Sequence, residues 1–264
     1  MDLVEVRAWR RAADRSDLAL LPGETVVAGG TWLFSEPQPG TTGLVDLTTL
    51  GWPSLTETEA GITVAATCTI AELARAPHPG LATLAAACAD ALLMSFKVQR
   101  AATVGGNLCL GLPAGAMTAL CVALDGVAVV WQPDGGTRRE PVASFVRGVG
   151  QTTLAPGEIL RAVELPASAL AQPTAVRQTS LAPHGRSASL VVGRTDSDTF
   201  VLTVTGATTR PVVLRLGGML DLEPALAGID CWFADPHGAA DWRAAVTGVL
   251  AAEVLSVLVE GPVR

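Results

Sequence analysis

The chain has no tyrosine, and charged residues make up only 16% of its 264 positions, against 49% hydrophobic. That balance is the reverse of a disordered chain's, so the sequence is expected to fold, with length enough for two or three packed lobes. Basic residues are outnumbered: 18 Lys and Arg against 25 Asp and Glu leave a net charge of −7, which argues against a nucleic-acid surface. The Arg10-Arg11 and Arg138-Arg139 pairs sit beside acids or turn residues and read as solvated faces. Cys68, Cys88, Cys109, Cys121 and Cys231 form no CxxC spacing, and His78, His184 and His237 are scattered. No metal site or iron–sulfur cluster is therefore expected, and the thiols read as buried. The start, Met1-Asp2-Leu3-Val4-Glu5, lacks the basic and apolar regions of a secretory leader. No run of membrane-spanning length is free of charge. The expectation is a cytoplasmic protein with no membrane span.

Alternation and turn residues predict an α+β layout. Residues 7–20 are expected to form a short helix. Val26-Val27-Ala28 and Leu44-Val45-Asp46-Leu47 read as strands, as does Gly61-Ile62-Thr63-Val64-Ala65-Ala66. Thr69 is placed to cap a short helix through Glu72-Leu73. Residues 81–93 and 116–124 have helical character, and residues 127–131 read as a strand turning at Pro133-Asp134-Gly135-Gly136. Residues 156–164 predict a turn and a strand, and residues 166–173 a linker. Strands at 189–192, 200–205 and 212–216 and a helix over 239–258 complete the chain, with a boundary near residue 170.

Two glycine pairs stand out: Val27-Ala28-Gly29-Gly30-Thr31-Trp32-Leu33 and Thr103-Val104-Gly105-Gly106-Asn107. Glycine lets backbone approach a ligand closely. Successive amides in such a turn can hold an anion without a lysine, and Thr31, Thr103 and Asn107 can add side-chain hydrogen bonds. A dinucleotide with an internal pyrophosphate suits two such turns. Neither matches the GxGxxG or GK[ST] patterns. Gly135-Gly136 and Gly217-Gly218 read as plain turns.

With these surroundings the chain resembles the medium, flavoprotein subunit of molybdenum hydroxylases, the carbon monoxide dehydrogenase and xanthine dehydrogenase family. The likeness rests on Ala28-Gly29-Gly30-Thr31 and Thr103-Val104-Gly105-Gly106-Asn107, then on Ala65-Ala66-Thr67-Cys68-Thr69. It continues through Pro156-Gly157-Glu158-Ile159-Leu160 with Glu164-Leu165-Pro166, and ends in Pro236-His237-Gly238-Ala239-Ala240-Asp241-Trp242-Arg243. The resemblance implies a two-lobed FAD-binding domain of the vanillyl-alcohol-oxidase (PCMH) type over residues 1–168 (lobes about 1–52 and 53–168) and a smaller α+β domain over 169–264. FAD would lie in the crevice between them, its diphosphate on Val27, Ala28, Gly29, Gly30, Thr31, Trp32, Leu33, Thr103, Val104, Gly105, Gly106 and Asn107. Arg177 and Arg186 are candidates to approach the flavin ring or phosphate. The resemblance also implies an oxidoreductase role without catalytic side chains of its own: electron transfer from a small [2Fe–2S] subunit, beside a large molybdopterin subunit, in a hetero-oligomer.

The chain departs from the family pattern at Trp32, at Arg100, at Ala116 and in having no tyrosine. Two alternatives stay open at this point: a free-standing FAD-dependent oxidase or dehydrogenase of the same fold, and a flavin-free assembly module.

Overall fold

Three sheets follow one another along the chain in the computed structural model, which describes residues 3–182 and 185–260; Met1, Asp2 and His184 lie outside them. The first is a parallel sheet of β1 (Ala8–Arg11), β2 (Glu24–Val27) and β3 (Gly43–Asp46) in the order β1-β3-β2. Residues 7–20 are thus not one helix. Ala8–Arg11 pairs with Gly43–Asp46, and only Arg15–Leu18 forms a 3-10 turn, capped by Asp14. Pairing with a distant strand overrides local helical preference here.

The second sheet is antiparallel: β4 (Leu55–Thr58), β5 (Gly61–Ala65), β6 (Val127–Trp131), β7 (Thr137–Pro141) and β10 (Ile159–Pro166), with β10 at its centre. A two-stranded ribbon, β8 (Val146–Gly148) and β9 (Gln151–Thr152), lies between β7 and β10 in sequence. The short helices α1 (Ile70–Leu73), α2 (Pro79–Ala91), α3 (Phe96–Ala101), α4 (Val104–Cys109), α5 (Ala116–Ala123) and α6 (Val142–Phe145) supply the rest of this lobe. Thr69 caps α1 in a reciprocal box with Glu72, and the turn at residues 133–136 joins β6 to β7. The expected linker is shorter than residues 166–173. β10 runs to Pro166, α7 (Ala167–Leu170) adds one helical turn, and β11 begins at Thr174.

The first two sheets meet over a small core of Ala12, Leu18, Val45, Leu47 and Ile159. A cation–π joint borders it. β10 carries a bulge between Leu160 and Ala162, and Arg161, the extra residue, lies 4.1 Å over the Trp52 ring and 5.5 Å from that of Trp131. Arg15 covers Trp131 at 4.7 Å. Bulges re-aim side chains in this way, and a guanidinium over an indole face is favourable without a carboxylate partner.

The third sheet is an antiparallel meander of β11 (Thr174–Thr179), β12 (Ser189–Asp196), β13 (Thr199–Thr205) and β14 (Val212–Leu216). Val191, Leu202 and Val204 face α9 (Ala240–Glu260), meeting Leu250, Ala251, Val254 and Leu255. Leu190 and Val192, on the other face, join the core that contains α2 and α5. By length and composition α9 could cross a membrane, but one of its sides is core. Its Arg243 is buried against Asp235 and the Gly206 carbonyl.

Arg194 of β12 joins this sheet to the preceding one. Its buried guanidinium donates to the carbonyl of Ala123 (2.7 Å) and to Gln172 Oε1 (2.7 Å), and it pairs with Asp125. Ala123 ends α5, so the arginine satisfies a carbonyl that the helix leaves without an internal partner. Replacing it with Met leaves the Ala123 carbonyl and Gln172 Oε1 without this donor, while the partly exposed Asp125 keeps Arg215. Arg194→Met is expected to lower unfolding free energy by about 2–3 kcal/mol, read by urea titration; a change below about 1 kcal/mol, the scale of exposed pairs, would show that the arginine is not the joint.

Candidate cofactor site

Strand β2 ends at Val27, and the chain turns away from the sheet through Ala28, Gly29 and Gly30. Gly30 has φ +66°, a conformation that costs glycine little. Phe34 N then donates to Gly30 O at 2.9 Å, closing one helical turn. The N–H groups of Gly29, Gly30, Thr31, Trp32 and Leu33 donate to no acceptor among the described residues. That is the normal state of a first helical turn, whose amides have no internal acceptors. Gly29 serves a second need: a Cβ there would overlap the carbonyl of Ala101 on the facing lobe.

The second glycine pair behaves differently. It is not a turn but the first turn of α4, with Thr103 as N-cap. Its amides are already engaged. Val104 N donates to Cys68 O (2.9 Å), Gly105 N to Ala66 O (2.9 Å), Gly106 N to Thr103 Oγ1 (3.1 Å) and Asn107 N to Thr103 O (3.0 Å). This segment therefore offers a close-fitting wall rather than an anion cradle. A Cβ on Gly105 would meet the Ala66 carbonyl at 2.8 Å, whereas one on Gly106, which is exposed, would meet only Thr103 Oγ1 at 3.0 Å. Asn107 also has a structural task. Its Oδ1 accepts from Met117 N at 2.8 Å, capping α5 where Gly115 has no side chain to do so.

The two segments face each other across a cavity of about 560 Å³, within the usual range for a small-molecule site. Val27, Ala28, Gly29, Gly30, Thr31, Trp32, Leu33, Thr103, Gly105, Gly106 and Asn107 line it; Val104 does not, its side chain being buried in the core. No lining residue lies beyond Leu160. The crevice is thus between the first and second sheets' lobes, not between them and the C-terminal sheet. Accordingly, Arg177 pairs with Glu253 (3.3 Å) and Arg186 with Asp235 (3.9 Å), and neither lines the cavity. Met94, Val98, Cys109, Leu154, Glu158, Ile159 and Leu160 are among the further residues of the wall. Of these, only Glu158-Ile159-Leu160 carried a signal in the sequence, the Pro-Gly-Glu-Ile-Leu run. Cys109 and Cys231 are less buried than expected, while Cys68, Cys88 and Cys121 are buried. No group of His, Cys, Asp or Glu among the described residues could hold a metal ion.

Glu158 is the acid of the lining. Arg138 grips it through two hydrogen bonds, 2.8 and 2.7 Å, and holds its carboxyl at about 2. Ala155 N adds a third bond at 2.9 Å. On the other lobe Glu24, just before the first glycine segment, is held at about 2 by Arg10, with bonds of 2.8 and 2.7 Å. Both of these glutamates are therefore paired with an arginine.

One family model, the FAD-binding domain in molybdopterin dehydrogenase, matches residues 8–168. The chain belongs to this family. Its cofactor is FAD, and it is an oxidoreductase flavoprotein carrying the FAD-binding domain of molybdopterin dehydrogenases. Solved structures agree in fold. A chain of quinoline 2-oxidoreductase from Pseudomonas putida 86 superposes with a TM-score of 0.81 at 18% identity, covering 96% of this chain and 97% of that one. A chain of the reconstituted CO dehydrogenase from Oligotropha carboxidovorans gives 0.79 at 20% identity, covering 94% and 96%. A chain of the carbon monoxide dehydrogenase from Hydrogenophaga pseudoflava that lacks the Mo-pyranopterin moiety gives 0.79 at 20%, covering 97% and 98%. No curated protein matches the chain in sequence.

The residues present fit FAD. Open amides at 29–33 suit a diphosphate, and Val26, Leu47, Leu154, Ile159 and Leu160 add apolar wall. FAD supplies the redox chemistry when bound, and the protein supplies position and electrostatics.

Two outcomes test this geometry. Gly106→Ala is expected to leave the melting temperature unchanged while weakening FAD retention, whereas Gly29→Ala should lower both, because its Cβ meets the opposing lobe; equal melting losses in the two variants would contradict the assignment. The second concerns acid. Glu24 and Glu158 lie at about 2 in the fold, against roughly 4.3 for an unperturbed glutamate. Their stabilisation is complete above the unfolded value and is lost as pH falls from there toward 2. Stability, followed by urea midpoint against pH, should decline across that window, and less steeply in Glu158→Gln.

Proposed function

We propose that this chain is the electron-transfer subunit of a molybdenum-containing hydroxylase, drawing electrons from the [2Fe–2S] clusters of a small partner subunit and delivering them to an acceptor. Substrate oxidation then belongs to a large molybdopterin subunit, and the working form is a hetero-oligomer. The observation that carries the proposal is the row of unengaged amides at Gly29–Leu33 facing a cavity walled by the second glycine segment. On this view the FAD diphosphate rests on Val27–Leu33, with the Thr103 hydroxyl and the bare face of Gly106 opposite. Residues 1–168 form the FAD-binding domain and residues 169–264 a supporting α+β domain. The acid of the lining, Glu158, is held ionised by Arg138, which suits a subunit that moves electrons rather than protons. A cytoplasmic location accords with five unbridged cysteines.

The test is the visible absorption spectrum of the purified full chain after incubation with FAD and removal of unbound cofactor. A retained flavin spectrum that disappears in Gly30→Val, where the new side chain meets both a positive φ and the Phe34 ring, is the expected result. A folded wild-type chain that retains no flavin alone or with its co-purifying subunits would overturn the proposal and leave an assembly module.

A further inference from the structure

The segment between β2 and β3 does more than turn the chain. Trp32, within the row of open amides, is 44% exposed, yet it lines the cavity, and among the described residues it is the one aromatic side chain that does. Its ring is uncommitted. Trp52 and Trp131 pack on each other and on Arg161. Neither face of Trp32 meets an aromatic ring or a cation among the described residues, and its indole N–H donates to no acceptor there. A flat π surface left open beside an anion-binding row suits a planar base attached to a phosphate.

Gln38, on the same segment, supplies a polar edge. It lines the cavity half-buried. Its Nε2 donates to Glu36 O at 3.2 Å, which orients the carboxamide and leaves Oε1 an acceptor without a donor among the described residues. The segment is tied at both ends. Phe34 N donates to Gly30 O (2.9 Å), Gly40 N to Glu5 Oε2 (3.0 Å) and Thr42 N to Gly23 O (2.8 Å). The stretch that carries both groups is therefore shaped before a ligand arrives, which lowers the ordering cost of binding.

We infer that Trp32 stacks on the adenine of FAD and that Gln38 Oε1 accepts from its exocyclic amine, so that residues 29–38 recognise the adenosine diphosphate half as a unit. This rests on the reading that the FAD diphosphate lies on the amides of residues 29–33. Reach decides between the two ring systems of FAD. A side chain that starts in the amide row meets what lies next to the diphosphate. In FAD that is the adenine, a single ribose away, whereas the isoalloxazine lies beyond the longer ribityl chain. The polar edge agrees: an acceptor fits adenine's amine and repels the carbonyl that hypoxanthine carries in its place. Free adenosine diphosphate (ADP) is accordingly a ligand of this site and a competitor of FAD.

The probe is ADP, which carries no flavin, so a change in tryptophan emission cannot come from energy transfer to the flavin ring. The purified full chain, stripped of flavin, is titrated with ADP by calorimetry and by tryptophan fluorescence. ADP is expected to bind and to quench part of the emission. Trp32→Ala should weaken ADP about tenfold, the scale of one base stacked on one aromatic ring, and FAD to the same degree. Its melting temperature should not change, because the ring is half in water. Trp32→Phe should keep most of the affinity and lose the quench. Trp9→Phe, a 53% exposed position on the edge strand β1, should change neither. The wild type should prefer ADP to inosine diphosphate, and Gln38→Leu should erase that preference. FMN separates the two rings: if Trp32→Ala weakens FMN and spares ADP, the indole stacks on the flavin and the inference is wrong. It is equally wrong if the wild type retains FAD and Gly30→Val does not, yet the wild type takes no ADP or Trp32→Ala binds ADP as tightly; the proposed function then stands. A chain that holds neither FAD nor ADP, alone or with its co-purifying subunits, sinks both.

Discussion

The close approach of two backbones is the constraint on which the rest of this molecule depends. Gly29 sits against the Ala101 carbonyl across the lobe boundary, and Gly105 against Ala66 within the second lobe. Each contact tolerates no Cβ, and each places an amide-bearing segment at the cavity wall. The lobes themselves share only a small apolar core, supplemented by the stacked Arg15, Trp131, Arg161 and Trp52. With so little burial between them, the cavity's shape is set by glycine contacts and cation–π packing rather than by a large hydrophobic interface.

The two glycine segments look alike as text and differ as chemistry. Both enter a helical turn, so both begin with orphan amides. At the first, those amides stay open because the neighbouring strand β3 pairs only as far as Asp46 and the turn swings clear of it. At the second, carbonyls from Ala66 and Cys68 and the hydroxyl of Thr103 take them up. The cavity thus has one segment with open amides and one wall whose amides are engaged. Arg138 and Arg10 pair with the two nearby glutamates.

Local signals in the sequence carried the elements whose cause is local. Thr69 with Glu72 marked a helix start, the Pro-Asp-Gly-Gly turn a hairpin, and alternation the strands of the C-terminal meander. Failures came where a distant partner decides. Residues 8–11 have no strand signature until Gly43–Asp46 pairs with them. Asn107 offered itself as a ligand contact, yet its acceptor belongs to Met117 because α5 starts at a glycine that cannot cap it. Met94 and Val98 carry no motif at all, being ordinary apolar residues that a turn and a short helix happen to bring to the wall.

The sequence by itself determined the family and the cofactor, since these rest on residue types whose chemistry is intrinsic: glycines without a Cβ, and a fixed order of short motifs. Tertiary structure alone decided which amides remain available, which lobes enclose the cavity, and which ordinary apolar residues, Met94 and Val98 among them, reach its wall. Those properties depend on hydrogen bonds and contacts between residues far apart in the chain, and no local pattern encodes whether a given donor has already found its acceptor.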